Sequence, residues 1–212
     1  MKNRLACIIA TGILFFGLTG ALAAETGDKA QRHGKISVGA RAGYNQFEGG
    51  ELDGNEVEID PSGCYGVNAS YFVWKDLSVE GALEYGRYRF NLKPPGEKLA
   101  QEIGDVEQVG FLCTIRYQPL MFKDVMPYVG VGAGYYAHDF DHFVQGVEVK
   151  LADDFGFHVA AGGDYHAQGP VWLTLDMRYT WNDTHEEDPT IKNPQDICLD
   201  VFQAFVGMKL YF

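Results

Sequence analysis

The most constraining feature of this chain is its last eleven residues. Phe202, Ala204, Val206, Met208, Leu210 and Phe212 fall on one face of a strand, because successive strand residues point to opposite sides. Gln203, Gly207 and Lys209 fall on the other. The same period-2 pattern recurs upstream over residues 36–45, 65–73, 77–86, 108–117, 129–136, 157–165 and 171–181. In each run one face is apolar, and the opposite face is Gly-rich, polar or charged.

Alternation alone also fits a soluble sandwich. Three further features favour a membrane barrel. The strands these runs imply are about 10 to 13 residues, enough to cross a bilayer at a tilt. Their connections alternate in length: Trp74-Lys75-Asp76 and Ala167-Gln168-Gly169-Pro170 are tight, the Pro119 to Pro127 link is moderate, and the other four are long and polar. The apolar faces carry aromatics near strand ends, at Tyr71, Tyr117, Tyr165, Tyr179 and Phe212, as interfacial girdles require. A soluble barrel would hide its apolar face inside, whereas here the charged residues share the face that eight strands would turn inward. The expected fold is all-β: an eight-stranded antiparallel transmembrane β-barrel in an up-and-down meander.

The N-terminus agrees with export. Lys2 and Arg4 precede an apolar run from Leu5 to Leu18, and Ala21-Leu22-Ala23 offers a cleavage site, so residues 1–23 read as a signal peptide. Residues 24–33 would then be a short periplasmic segment and 34–212 the barrel domain. Residues 1–23 hold two positive charges and no negative ones, so cleavage moves the net charge from −12 to −14. Such an acidic chain argues against nucleic acid, whose phosphates need Lys and Arg.

Pro127-Tyr128-Val129-Gly130-Val131-Gly132-Ala133-Gly134-Tyr135-Tyr136 resembles the fifth strand of the eight-stranded outer-membrane β-barrel superfamily that includes the OmpW, OmpA and Opa types. Residues 155–165 and Leu175-Asp176-Met177-Arg178-Tyr179 resemble its sixth and seventh strands, and the closing strand ends, as in that family, on an aromatic residue. The resemblance spans roughly residues 34–212. It implies the outer membrane of a diderm bacterium, with outer-membrane lipid, lipopolysaccharide, periplasmic chaperones and the barrel assembly machinery as partners. It also implies that Phe212, with Leu210 and Met208, forms the signal read at assembly. It does not fix an activity, because the superfamily includes adhesins, structural proteins, conduits for hydrophobic molecules and lipid-modifying enzymes.

The candidate site is the lumen. Arg41, Arg116, Arg178 and Lys209 face inward, as do Glu80, Glu84, Asp164 and Asp176. Four charges of each sign in a narrow space should pair, because an unpaired buried charge costs several kcal/mol. Strand neighbours suggest Glu80 or Glu84 for Arg116, and Asp164 or Asp176 for Arg178. The functional alternative is a gate or proton path.

Other residues give weaker signals. Residues 48–61 carry six acids and no Lys or Arg, while 139–154 and 182–196 each carry five acids and one Lys. These segments read as a solvated surface with no assigned external ligand. Glu51-Leu52-Asp53-Gly54-Asn55-Glu56 lacks the spacing of a calcium loop. Enzymes of this barrel size resemble a His-x-Ser arrangement, yet none of the six histidines has Ser two residues on. The expectation is a non-enzymatic surface or structural protein with no cofactor and no metal. Cys64 and Cys198 form a candidate disulfide at the loop ends of two strands that flank the first. Two strand spacings, roughly 10 Å, separate them, so a bridge would require the loop ends to move.

Overall fold

The computed structural model describes residues 32–52, 55–93, 96, 101–142, 153–185 and 196–212. The signal peptide and most of the 24–33 segment lie outside the described residues. Among the described residues there are twelve strands: β1 (Ile36–Phe47), β2 (Gly50–Leu52), β3 (Asn55–Ile59), β4 (Ser62–Trp74), β5 (Leu77–Lys93), β6 (Gln101–Tyr117), β7 (Val125–His142), β8 (Asp154–Gln168), β9 (Val171–Trp181), β10 (Asp183–His185), β11 (Asp196–Cys198) and β12 (Val201–Tyr211).

Eight of these strands close a barrel. Each pairs antiparallel with the next in the order β1-β4-β5-β6-β7-β8-β9-β12, and β12 returns to β1. The closing seam is long and in register from Ser37↔Tyr211 to Phe47↔Val201. Below it, Phe212 N–H donates to the Ile36 carbonyl at 2.8 Å. Closure pairs the edge strands, which a membrane demands because hydrocarbon offers no partner for free backbone groups.

The strand faces follow the alternation. Tyr71, Tyr117, Tyr165 and Phe212 ring the outer wall at the short-turn end, and Tyr44, Tyr65, Tyr85 and Phe155 ring it at the other, all exposed. Tyr179 is only partly exposed and donates its hydroxyl to Asp200 Oδ2 at 3.1 Å.

Two expectations are corrected. β5 and β6 each run 17 residues and β7 runs 18, longer than the apolar runs indicate. Beyond Tyr85 the outward face of β5 turns from apolar to Arg87 and Arg89, so the wall continues past the membrane into water. There charged pairs hold it: Arg87–Asp105 at 3.0 Å and Arg89–Glu102 at 2.7 Å. Residues 48–61 are not a simple loop. β2 and β3 form a hairpin, and β3 joins the side of β5 from Glu56↔Lys93 to Ile59↔Phe90. Val57 and Ile59 are the reason, because they turn inward and bury.

That burial builds an apolar cluster of Phe47, Val57, Ile59, Tyr88, Phe90, Val106, Leu199 and Val201 in the long-loop half of the lumen. The charged interior residues lie below it, with Phe72 and Met126 buried at the short-turn end. The barrel is therefore filled by two layers of opposite character.

Candidate functional site

The polar layer is built from strand positions that alternation turns inward. Arg41 on β1 donates from Nη1 to Asp176 Oδ2 at 2.8 Å and Glu80 Oε1 at 3.2 Å, and from Nη2 to Glu84 Oε1 at 2.5 Å. Arg116 on β6 donates to Glu80 Oε2 at 2.5 Å and Asp164 Oδ2 at 3.3 Å. Lys209 Nζ on β12 reaches Glu80 Oε2 at 2.9 Å and Asp164 Oδ1 at 3.7 Å. Arg178 on β9 donates from Nη2 to both Glu84 oxygens at 2.6 Å. All eight charges are buried, and each meets an opposite charge.

Arg178 departs from the expected pairing. It binds neither Asp164 nor Asp176 but Glu84, four strands away around the ring. An eight-stranded lumen is narrow enough for side chains to meet across it, so adjacency in the sheet does not restrict the partner. Asp164 and Asp176 are taken by other cations, Asp176 by Arg41 and Asp164 by Arg116 and Lys209.

Neutral donors complete the network. Asn68 Nδ2 and Ser70 Oγ donate to Glu80 Oε2 at 2.9 and 3.0 Å, and Tyr211 donates to Asp164 Oδ2 at 2.7 Å. Gln203 accepts from Arg178 Nε at 2.9 Å and donates to Asn45 Oδ1 at 2.9 Å. Glu80 is the hub, holding three cations and two neutral donors.

Aromatic rings support the guanidinium groups. Arg41 and Arg178 lie over the Phe205 ring at 4.8 and 5.1 Å, and Arg116 lies over Tyr128 at 3.5 Å. Sequence reading missed both rings, although Phe205 occupies an inward phase of β12 and Tyr128 an inward phase of β7. Gly43 makes the room for Phe205: a Cβ there would collide with the ring.

The remaining candidates fall outside this network. Met208, Leu210 and Phe212 lie on the lipid-facing wall, with Phe212 69% exposed. Cys64 is a buried free thiol, so the candidate bridge to Cys198 does not form; Cys198 ends β11, which pairs with β10 and not with a neighbour of β4. The Cys198 side chain lies outside the described residues. Cys113 is a free thiol facing lipid. His158 Nε2 shares a hydrogen bond with Thr114 Oγ1 at 2.8 Å, and His138 Nε2 one with Gln108 Nε2 at 3.0 Å. The side chains of His142 and His185 lie outside the described residues. Among the described residues no group of three His, Cys, Asp or Glu side chains is placed to hold a metal ion.

The architecture recurs in known proteins. The outer membrane protein OprG from Pseudomonas aeruginosa matches with a TM-score of 0.69 at 16% identity, over 85% of this chain and 97% of its own. The outer membrane protein AlkL matches with a TM-score of 0.62 at 19% identity, over 90% and 94%. Neisserial surface protein A (NspA) matches with a TM-score of 0.58 at 17% identity, over 85% and 100%. At such identities the likeness establishes the fold alone. No curated protein matches the chain. The model of the outer membrane protein beta-barrel domain family matches residues 12–209. With that match and a closed eight-stranded barrel of lipid-facing exterior, the chain belongs to the outer membrane protein beta-barrel domain family.

Proposed function

We propose that this is a non-enzymatic outer-membrane barrel whose filled lumen braces the wall, and whose long-loop end is an acidic interaction surface outside the cell. The supporting observation is the lumen itself. Four cations and four carboxylates close on one another across it, which leaves the charges bound to each other instead of available to a moving solute. The pairs are mutually satisfied, as a brace requires and a hydrated pore does not. In planar bilayers the refolded protein should give no stepwise conductance, and lipid A from overexpressing cells should keep its mass spectrum. Reproducible conductance steps would overturn the brace, and altered lipid A would overturn the non-enzymatic reading.

The orientation is testable in intact cells. In a cysteine-free background, Glu58→Cys on β3 should react with a membrane-impermeant maleimide, while Lys75→Cys in the β4–β5 turn should not. The reverse pattern would invert the barrel. The partners follow the same reading: the outward-facing Phe212, Leu210 and Met208 meet the assembly machinery, and deleting Phe212 should lower outer-membrane levels.

A second reading, a conduit for small hydrophobic molecules, is favoured by one observation. A cluster of apolar side chains fills the long-loop half of the lumen. Flux of an apolar fluorophore into proteoliposomes above the empty-liposome rate would favour this reading over the brace.

A further inference from the structure

The short-turn end of the barrel holds a pocket of about 340 Å³, within the usual range for small-molecule sites. Arg32 forms part of its lining, and strand ends and the turns between them supply the rest. Arg32 is only 7% exposed. Its Nη1 donates to the Gln118 carbonyl at 3.1 Å and rests on Met126 Sδ at 3.4 Å. Its Nε and Nη2 are buried and have no hydrogen-bond partner. These two nitrogens form one edge of the guanidinium, the edge that grips a carboxylate with two parallel bonds.

Among the described residues no carboxylate pairs with Arg32. Burial lowers its pKa below the ordinary arginine value, and the charge of Asp76 offsets only part of that effect. A buried cation that no carboxylate contacts directly is costly, and an incoming anion would recover part of that cost. The rest of the pocket is apolar. Phe72, Tyr211, Trp172 and His166 stand in a row, with ring centroids 6.2, 5.2 and 4.9 Å apart. Met121 and Met126 also line it, and Lys35 adds an exposed positive charge at the rim.

We propose that this end of the barrel is a binding site for a monocarboxylate with an apolar body. The unpartnered edge of Arg32 takes the carboxylate in two hydrogen bonds, Lys35 adds attraction at the entrance, and the aromatic row packs the body. One guanidinium edge and one rim ammonium match a single negative charge. A phosphate dianion would call for more donors than the pocket provides. The site meets the charge network only at Tyr211, whose hydroxyl binds Asp164 while its ring lines the pocket, so it does not depend on whether the lumen conducts.

The test is titration calorimetry on the full mature chain folded in detergent micelles. The probes are 3-phenylpropanoate and its uncharged counterpart, 3-phenylpropan-1-ol, which controls for partition into the micelle. The acid should bind saturably and at least about tenfold more tightly than the alcohol. Arg32→Gln should reduce the acid to the level of the alcohol. Arg32→Lys should lose most of the preference too, because an ammonium lacks the two-bond edge. Heat-modifiable migration on gels would verify that each variant folds. Should the Arg32 variants fail to fold, Trp172→Leu keeps the edge, removes part of the wall, and should weaken the acid about tenfold. Equal affinity for acid and alcohol, unchanged binding in the folded variants, or no saturable acid binding in the millimolar range would overturn the proposal.

Discussion

Both carboxylate oxygens of Glu84 accept from Nη2 of Arg178 at 2.6 Å, and the two residues sit on opposite walls of the barrel, on β5 and β9. The pair is a strut across the lumen. Its removal from one side should destabilise the barrel by roughly 3–5 kcal/mol, because it strands the other charge in a dry interior. Arg178→Met leaves Glu84 with Arg41 alone. Glu84→Gln leaves Arg178 without a carboxylate within pairing distance. The double variant should cost less than the two changes summed, as urea unfolding in lipid vesicles would show. Strict additivity would mean that the two groups do not interact in the membrane.

Phe205 should matter although it bears no charge. Its ring lies under both Arg41 and Arg178, and a desolvated cation over a ring is worth up to about 2 kcal/mol. Phe205→Leu keeps an apolar side chain and removes the ring. It should destabilise folding by about 1–3 kcal/mol in the same urea assay, against little change for Val206→Leu on the lipid-facing side. Equal effects at the two positions would remove the ring from the account.

Gly132 and Gly81 occupy barrel strands but should respond oppositely. A Cβ at Gly132 would collide with the Cys113 carbonyl and with His158 Nε2, whereas a Cβ at Gly81 meets nothing within 4 Å. Gly132→Ala should destabilise by about 1–3 kcal/mol through overpacking. Gly81→Ala should be neutral or slightly stabilising, because the unfolded chain loses freedom. Thermal melting of the two variants, read by heat-modifiable gel migration, would check the contrast.

Acid should weaken one contact at the long-loop end. Asp153 accepts from the Tyr135 hydroxyl at 2.6 Å and from the His138 backbone N–H at 3.3 Å. The tyrosine hydrogen bond, more than the backbone bond, holds the Asp153 carboxyl below the ordinary aspartate value. The folded pKa is lowered, so the contact contributes fully above the unfolded value of about 3.9 and is lost as pH falls through the folded one. Tyr135→Phe should raise the Asp153 pKa toward that ordinary value in a ¹³C carboxyl titration. An unchanged titration would show that the hydroxyl does not hold the carboxylate.

The sequence by itself determined which way most side chains point. Period-2 alternation assigns each residue to lipid or lumen, because a closed sheet has only two faces, so the positions of Arg41, Glu80, Arg116 and Lys209 could be read before any fold was known. The same alternation places Phe205 and Tyr128 in inward phases, although an aromatic side chain in a membrane strand ordinarily faces lipid. The alternation ran out where the strands left the membrane. There Tyr88, Phe90, Val57 and Ile59 form a core of ordinary soluble type, and no change in local pattern marks the hairpin that carries the last two.

Only the tertiary structure decided who meets whom. Arg178 chose Glu84 because barrel closure brings opposite walls within reach of two long side chains, a distance that no spacing along the chain encodes. The unpartnered edge of Arg32 is of the same kind. A lone arginine ahead of the first strand becomes a candidate site only when the ends of β4, β7, β9 and β12 gather around it and exclude water from its charge.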